Sequence, residues 1–202
     1  MTPDQMLQMS GMRLSPYIQL ATHLIGKSRE SGGNMFRHQL DTMAILIDYG
    51  YIDSVLLKAS VVHDLLEDIP EFNHNTFLSI DFESHSVYEL VKEVTRKNGE
   101  TKVDFLTRIR ESGTYNAKIL KVADRISNMI SLGYVNNLDF IRRYTDETEM
   151  HILPIAIEVN HYMVTELEHL VESRRRNLKV FGSLKPDTGK NNSSKNDTSY
   201  YV

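Results

Sequence analysis

The stretch "KILKVADRISNMISL", residues 118–132, is apolar around almost its whole circumference when it is drawn as a helix. One polar stripe runs through it at steps of three, four and three residues: Lys121, Asp124, Asn128 and Ser131. Such steps keep side chains on one face, so the stretch predicts an α-helix. A helix this apolar belongs inside a protein, where a charge is normally excluded. Asp124 is therefore either salt-bridged on an exposed stripe or turned towards a polar site, and the stretch leaves both open.

Helical periodicity continues on both sides of this stretch. Apolar residues recur at spacings of three and four in five further segments: residues 15–30, 36–50, 53–69, 84–97 and 146–176. Ser86 is the predicted cap of the fourth segment, and Pro154 fits the last segment only near its start or at a kink. Arg174 and the two arginines after it suit the negative end of that last helix. No alternating strand pattern is present, so the sequence predicts an all-α protein, a single helical bundle of about eight helices.

The chain divides into a predicted domain over residues 1–181 and a tail over residues 182–202. The tail is polar and rich in Asn, Ser, Lys and Gly. Such a composition cannot bury enough apolar surface to offset the entropy of ordering. We expect the tail to be disordered.

The composition limits the class of protein. The 202-residue chain is 41% hydrophobic and 25% charged, which is enough for a packed core, and it has no cysteine for disulfides, thiol catalysis or cysteine-based zinc sites. Its net charge of −4 argues against a nucleic-acid partner. No apolar run approaches the roughly 20 residues that span a bilayer, and the amino terminus lacks a secretory signal. We expect a cytoplasmic protein that binds no membrane; its oligomeric state is left open.

A second stretch, "VVHDLLEDIP" at residues 61–70, places four ionisable side chains among apolar ones: His63, Asp64, Glu67 and Asp68. On a helical wheel the two sets occupy opposite arcs, as in an amphipathic helix with a solvated acidic face. Against that interpretation, Leu56 and Leu57 extend the apolar surface onto the acidic side. Three carboxylates this close repel one another unless a cation lies between them. A bound divalent metal would explain the cluster.

The ionisable residues of these stretches, in their order along the chain, resemble the motifs of the HD superfamily of metal-dependent phosphohydrolases. Its signature is an early His, an adjacent His-Asp pair and a distant Asp, here His38, His63, Asp64 and Asp124. "HDLLED" and "KVADRISNM" are similar to the "HDxxED" and "xxADRxxNM" motifs of the hydrolase domain of Rel/Spo-type alarmone enzymes. "RES" at 29–31 stands where that family usually shows "RKS", and "EVT" at 93–95 and "DET…LP.A" at 146–156 follow in order. The resemblance covers roughly residues 16–170 and leads us to expect a stand-alone small alarmone hydrolase.

The resemblance implies an all-α domain that holds one Mn²⁺ and removes the 3′-pyrophosphate of guanosine tetra- or pentaphosphate, (p)ppGpp, leaving GDP or GTP. It implies metal ligation by His38, His63, Asp64 and Asp124, handling of the attacking water by Glu67 and Asp68, and nucleoside contacts by Arg29, Ser31 and Asn128. Two imidazoles and two carboxylates form a mixed donor set that leaves positions open for water and substrate. A divalent ion is therefore expected, but the donor types alone do not decide which ion it is.

The charge of a pyrophosphate requires basic side chains near the metal. The sequence offers Lys121, Arg125, Lys97 and Lys102, each of which is also an ordinary surface base. Glu30 departs from the family's pattern, because a lysine usually stands there, and it reverses a charge beside the proposed base pocket. The substrate therefore stays open among (p)ppGpp held through another base such as Lys27, an adenine alarmone and a less phosphorylated nucleotide.

Two other functions stay open for the same residues. An HD-type nucleotidase acting on nucleoside monophosphates would release phosphate rather than pyrophosphate. A catalytically silent HD module would bind a nucleotide and not convert it. A small-molecule nucleotide is the expected partner in all three cases.

Overall fold

A computed structural model describes residues 1–183, in which the regular structure is helical apart from one isolated β-bridge between Ser28 and Asn34. The α-helices are α1 (Pro3–Ser10), α2 (Ser15–Ala21), α3 (Met35–Asp48), α4 (Ser54–Ser60), α5 (Leu65–Asp68), α6 (His74–Leu78), α7 (Ser84–Val94), α8 (Lys102–Ser112), α9 (Tyr115–Ser131), α10 (Leu138–Glu147), α11 (Leu153–Val159) and α12 (His161–Ser183). Short 3₁₀ turns at Thr22–Leu24 and Leu132–Tyr134 and a π-helical turn at Thr148–Ile152 connect some of them. The all-α prediction is confirmed, and the helices outnumber the expected eight because several have only one or two turns.

Helix α9 lies at the centre of the bundle. It packs against α3, α4, α7, α11 and α12, and the side chains of Leu120, Val122 and Ile126 are completely buried. Burying a large aliphatic side chain contributes about 1.5–3 kcal/mol. Thr114 starts the helix by accepting a hydrogen bond from the amide of Ala117. The packing fixes α9 relative to α3 and α4, and those elements carry the other polar residues of interest.

The predicted helix over residues 53–69 is wrong in its middle. Helix α4 ends at Ser60, the chain turns through residues 61–64, and α5 begins at Leu65. In a continuous helix the Ser60 carbonyl would accept the amide of Asp64. Instead it accepts Nδ1–H of His63 at 2.7 Å, while the Asp64 amide contacts Oε1 of Gln39 at 3.4 Å. Side-chain contacts thus replace a helical hydrogen bond, and His63 is buried rather than on a solvated face.

Two other helix bounds differ from the sequence pattern. The segment predicted over residues 15–30 is α-helical only to Ala21 and 3₁₀-helical to Leu24. A loop follows in which Gly26 takes a φ of 86°, a left-handed conformation that glycine adopts easily. Helix α7 begins at Ser84, so Ser86 lies inside the helix, and its predicted role as the cap is wrong.

The pattern over residues 146–176 is divided among several elements rather than forming one helix. Pro154 lies in the first turn of α11, directly after the π-helical turn at Thr148–Ile152, so the regular α-helical hydrogen bonding is already interrupted next to its missing N–H. Asn160 then takes an extended conformation, with φ −160° and ψ 114°, and interrupts the helix. Its Oδ1 accepts hydrogen bonds from the amides of Tyr162 and Met163 and so starts α12. The expectation that Pro154 lies near a helix start or at a kink is therefore confirmed, but the single long helix is wrong.

Helix α12 continues to Ser183, so the prediction that Arg174 lies at its carboxyl end is wrong. The Arg174 guanidinium donates instead to the carbonyl oxygens of Met129, at 2.9 Å, and Ile130, at 3.2 Å. Those carbonyls belong to the last turn of α9. Arg174 therefore satisfies the unpaired carbonyls at the end of a different helix.

The predicted tail over residues 182–202 falls, from residue 184 onwards, outside the described residues, and the division into domain and tail stays a prediction. Within residues 1–183, no helix combines the length and the apolar character needed to cross a membrane.

Candidate metal centre

Four of the residues singled out in the sequence meet where α3, the 61–64 turn and α9 come together. Nε2 of His38 lies 3.0 Å from Oδ1 of Asp124 and 3.5 Å from Oδ2 of Asp64. Nε2 of His63 lies 3.2 Å from Oδ2 of Asp64 and 3.7 Å from Oδ1 of Asp124. Residues separated by as many as 86 positions in the chain therefore form one cluster.

The two imidazoles are held so that the same nitrogen of each ring faces the carboxylates. Nδ1 of His63 donates to the carbonyl of Ser60, and Nδ1 of His38 lies 2.8 Å from Oγ of Ser127. Among the described residues, Nε2 of His63 is a buried atom without a hydrogen-bond partner. A second protein group that fixes the ring and leaves the other nitrogen free is the usual arrangement for a metal-ligating histidine.

This donor set fits a divalent ion. One ligand atom each from His38, His63 and Asp124 lie within 4.8 Å of one another, and all three residues are buried. Asp64 stands against both imidazoles, and its Oδ2 also accepts a hydrogen bond of 2.8 Å from Nε2 of Gln39. Mixed imidazole and carboxylate ligands suit Zn²⁺, Mn²⁺ and Fe²⁺. The group can therefore hold a metal, and its ligand types do not choose among these ions.

The electrostatics of the cluster favour positive charge. Burial alone would lower the pKa of His63, but the adjacent Asp64 and Asp124 raise it to about 10. Burial would raise the pKa values of Asp64 and Asp124, yet nearby positive groups hold both well below the ordinary value: chiefly His63 for Asp64, and Lys121 for Asp124. For His38, burial prevails and lowers the pKa. One buried carboxylate, Asp124, and one partly buried carboxylate, Asp64, thus create a site that favours a cation.

The cluster forms part of the wall of a cleft with a volume of about 390 Å³. The two predicted catalytic acids also line it. Asp68 is partly buried, and burial, followed by the charge of Asp64, raises its pKa to about 6. Oε1 of Glu67 lies 3.8 Å from a guanidinium nitrogen of Arg96. The structure therefore brings both carboxyl groups to the cleft that contains the predicted metal ligands.

Basic side chains also line this cleft, but they are not all the ones that the sequence suggested. Lys121, Lys102 and Arg125 are present, whereas Lys97 lines a separate surface cleft, and Arg96 contributes in its place. Lys121 donates to Oδ2 of Asp124 at 2.7 Å. Nothing in the sequence distinguishes Arg96 from Lys97, because both follow the end of α7.

Arg125 is completely buried and already engaged by protein groups. Its guanidinium lies 2.5 Å from Glu147, donates to Thr148 at 3.1 Å, and stacks 4.2 Å from the centre of the Tyr144 ring. Nζ of Lys102 lies 3.1 Å from the same Glu147. Glu147 and Tyr144, which were not predicted as site residues, thus organise the basic wall. Their only sequence signal was the position of Glu147 in the "DET" motif.

The predicted nucleoside contacts come from the loop before α3 and from α9. Oγ of Ser31 donates to Oδ1 of Asn128 at 2.9 Å, and the Arg29 guanidinium donates to the same oxygen and to Oγ of Ser131, the latter at 3.3 Å. Glu30 also lines the cleft, with an exposed side chain. The structure therefore brings Arg29, Ser31 and Asn128 together at one end of the cleft.

Sequence reasoning missed the groups that orient the cluster. Gln39 holds Asp64, and Ser127 holds His38. Both are completely or almost completely buried, which is unusual for uncharged polar side chains without a structural partner. Each directly neighbours a motif position, but an uncharged polar residue in a helix carries no signal in a single sequence.

No model of a known protein family matches the chain. An alignment of 124 positions, which covers 54% of this chain, is 26% identical to a probable guanosine-3′,5′-bis(diphosphate) 3′-pyrophosphohydrolase of Mycoplasma genitalium. The chain spans 17% of the length of that relative. Among solved structures, that of a metazoan ortholog of SpoT, which hydrolyzes ppGpp and plays a role in starvation responses, matches with a TM-score of 0.68 at 18% identity, covering 80% of this chain and 94% of that one. The two comparisons confirm the resemblance to the hydrolase domain of Rel/Spo-type enzymes, the second at the level of the fold.

Proposed function

We propose that this chain is a Mn²⁺-dependent 3′-pyrophosphohydrolase that acts on (p)ppGpp or a closely related alarmone. The observation that carries the proposal is the convergence of His38, His63 and Asp124, with Asp64 against both rings, beside a cleft that holds both carboxylates and cations. The names of the two relatives support a nucleotide as the partner. A cytoplasmic location and the absence of nucleic-acid and membrane partners belong to the same proposal.

A bound divalent ion would polarise a phosphoryl oxygen and acidify water. The chain's own groups would then manage protons and charge. The Asp68 carboxyl, with its pKa near 6, can hold or release a proton close to neutral pH. The Glu67 carboxylate, close to Arg96, is a second acceptor at the cleft wall. These two groups are the proposed acid and base of the hydrolysis.

The basic wall would bind the phosphates. Lys102 and Arg96 are each about half exposed at their side chains, so their charges are accessible from the cleft. Both also pair with carboxylates of the wall, but the side chains of Lys121 and Arg125 are only 16% and 2% exposed. We therefore assign direct phosphate binding to Lys102 and Arg96, with Lys121 and Arg125 shaping the wall behind them. Arg29, with a planar cation on which a purine can stack, is the proposed nucleoside contact together with Ser31.

The test is a product assay on the purified full chain, freed of metal with a chelator and reloaded with Mn²⁺. We expect ppGpp to give GDP and pyrophosphate, and Asp64→Asn to give neither. Asp139→Asn is the matched control, because the Asp139 side chain is 79% exposed on α10 and pairs only with Arg142 among the described residues. It should retain the wild-type rate.

A panel of ppGpp, pppGpp, ppApp, GMP and AMP separates the other functions. Release of phosphate from the monophosphates, with no pyrophosphate from the alarmones, would replace the proposal by a nucleotidase. Binding of ppGpp by the Mn²⁺-loaded protein without any product would replace it by a silent nucleotide-binding module.

A further inference from the structure

Asn128 has no hydrogen-bonding capacity left for a ligand. A side-chain amide offers two donor hydrogens and an oxygen that accepts two hydrogen bonds. The oxygen of Asn128 accepts from the Arg29 guanidinium and from Oγ of Ser31, the latter at 2.9 Å. Its nitrogen donates to the backbone carbonyl of Asp124 at 3.0 Å and to Oδ1 of the same residue. All four positions of the amide are therefore occupied by protein groups.

The two ends of this amide face different parts of the cleft. On one side are Arg29 and Ser31, which belong to the loop before α3. On the other side is Oδ1 of Asp124, the oxygen that lies 3.0 Å from Nε2 of His38 in the metal cluster. The second carboxylate oxygen, Oδ2, is held independently by Lys121 at 2.7 Å. Asn128 thus fixes the carboxylate oxygen that faces the cluster.

From this geometry we infer that Asn128 is a positioning residue rather than a nucleoside contact: it couples the Arg29–Ser31 loop to the metal ligand Asp124. A nucleoside that bonded to Asn128 would first have to break one of four existing hydrogen bonds. The loop, in contrast, can act on the metal through the amide, because the orientation of the amide sets the orientation of the Asp124 carboxylate. The inference rests on the proposed metal centre but not on the proposed hydrolysis.

Burial makes this connection energetically significant. Ser31 is 5% exposed and Asp124 is 4% exposed, so water does not readily replace a lost hydrogen bond. Groups that orient a metal ligand typically change metal affinity by about 10- to 100-fold when they are removed. We expect a loss of this size for Asn128→Ala. Ser31→Ala removes only one hydrogen bond to the amide, so its expected loss is smaller, about two- to tenfold.

The experiment is a double-mutant cycle read out as Mn²⁺ affinity by titration calorimetry on the metal-free full chain. The four proteins are wild type, Ser31→Ala, Asn128→Ala and the double variant. Ser31→Ala is neutral, so it changes no charge near the metal. We expect it to weaken Mn²⁺ binding when Asn128 is present and to have no further effect when Asn128 is absent.

Ser131→Ala is the matched control. Ser131 accepts a hydrogen bond from the same Arg29 at 3.3 Å. Among the described residues, no hydrogen bond joins Ser131 to the side-chain amide of Asn128. Ser131→Ala removes one contact of the loop and leaves the hydrogen bonds of the Asn128 amide in place, so Mn²⁺ affinity should stay at the wild-type value. Alanine is the best helix former, so α9 should tolerate these changes, and thermal unfolding verifies that each variant is folded. If Asn128→Ala does not fold, the comparison of Ser31→Ala with Ser131→Ala still tests whether the loop acts on Mn²⁺ affinity through the Asn128 amide.

Three results would overturn the inference. Unchanged Mn²⁺ affinity in Asn128→Ala would leave Asn128 without a positioning role. An equal loss from Ser31→Ala in both backgrounds would mean that the loop acts by another route. Equal effects of Ser31→Ala and Ser131→Ala would assign the loss to general loosening. Absence of Mn²⁺ binding in the wild type would defeat the proposed metal centre as well, whereas normal binding without turnover would defeat only the proposed hydrolysis.

Discussion

Replacing Lys58 by methionine tests a buried ion pair that holds the segment before α7 against α4. Lys58 is 2% exposed, and its Nζ donates to Asp81 at 2.8 Å and to Glu83 at 2.5 Å. Methionine fills a similar volume without charge. The variant therefore leaves two carboxylates next to an apolar side chain with no cation to neutralise them.

The magnitude follows from what each carboxylate retains. Removing one partner of a buried ion pair typically costs about 3–5 kcal/mol. Asp81 keeps hydrogen bonds from the hydroxyl of Tyr17 and the amide of Glu83, and Glu83 keeps one from Ser54. These contacts place the expected loss at the lower end, about 3 kcal/mol in the free energy of unfolding. For a chain of this size, that corresponds to a decrease in Tm of about 6–12 °C.

The loss of stability in Lys58→Met should become smaller as the pH falls. Burial opposes ionisation of Asp81 and Glu83, but hydrogen bonds from Lys58 outweigh it and lower both pKa values. A carboxyl group whose pKa is lowered by folding contributes stability above its unfolded pKa, near 4, and loses that contribution as the pH falls through the folded value. The difference between wild type and Lys58→Met should be complete at pH 7 and should shrink below about pH 4.

Urea unfolding followed by circular dichroism, at neutral pH and at about pH 3.5, measures both quantities. Lys92→Met is the control, because Lys92 pairs with Glu89 at 3.1 Å on an exposed face, and it should change stability by no more than about 0.5 kcal/mol. The reasoning is refuted if the two variants are equally stable at neutral pH. It is also refuted if the loss in Lys58→Met is the same at both pH values.

The remaining predictions concern the site and the loop before α3. Chelation should abolish pyrophosphate release and Mn²⁺ should restore it in wild type but not in Asp124→Asn; restoration in that variant would exclude Asp124 as a ligand. Glu67→Gln should lower kcat by about 10²- to 10⁴-fold with little change in nucleotide Kd, as measured by the product assay and calorimetry, and an unchanged kcat would remove Glu67 from the reaction. Gly32→Ala should lower Tm more than Gly99→Ala. Both positions have positive φ, 87° and 78°, which costs about 1–2 kcal/mol for other residues, but only at Gly32 would the added Cβ lie 3.0 Å from the carbonyl oxygen of Ser131. Equal changes in Tm would contradict the close approach.

The helices that the sequence predicts well are those with a strong period of three and four and a clear stop. Helix α3, Met35–Asp48, agrees with the pattern over residues 36–50, and α9 is buried as its apolar circumference indicates. The pattern over residues 53–69 fails because the break at residues 61–64 leaves the apolar spacing intact. What breaks the helix is the contact of His63 with Ser60 and of Asp64 with Gln39 on another helix.

The residues of the candidate site also fall into two groups, those that the sequence identifies and those that only the structure shows. Histidine and aspartate at motif spacing identify His38, His63, Asp64 and Asp124 as a set, and the structure brings them together. The groups around them, such as Ser127, come from positions that carry no charge and no motif. Arg96 was not distinguishable from Lys97 in the sequence, because only the direction of the chain after α7 decides which of them reaches the cleft.

The amino-acid order alone determined that the protein is helical, that the helix over residues 118–132 is buried, and that imidazoles and carboxylates suited to a divalent ion are present. These properties depend on residue type and on contacts between residues three and four positions apart, which a single sequence displays directly. Only the tertiary structure decided that the Nε2 atoms of both histidines face the same two carboxylates and that Asn128 is saturated between Arg29 and Asp124. Those features depend on how α3, the 61–64 turn and α9 pack, and long-range packing has no period in the sequence.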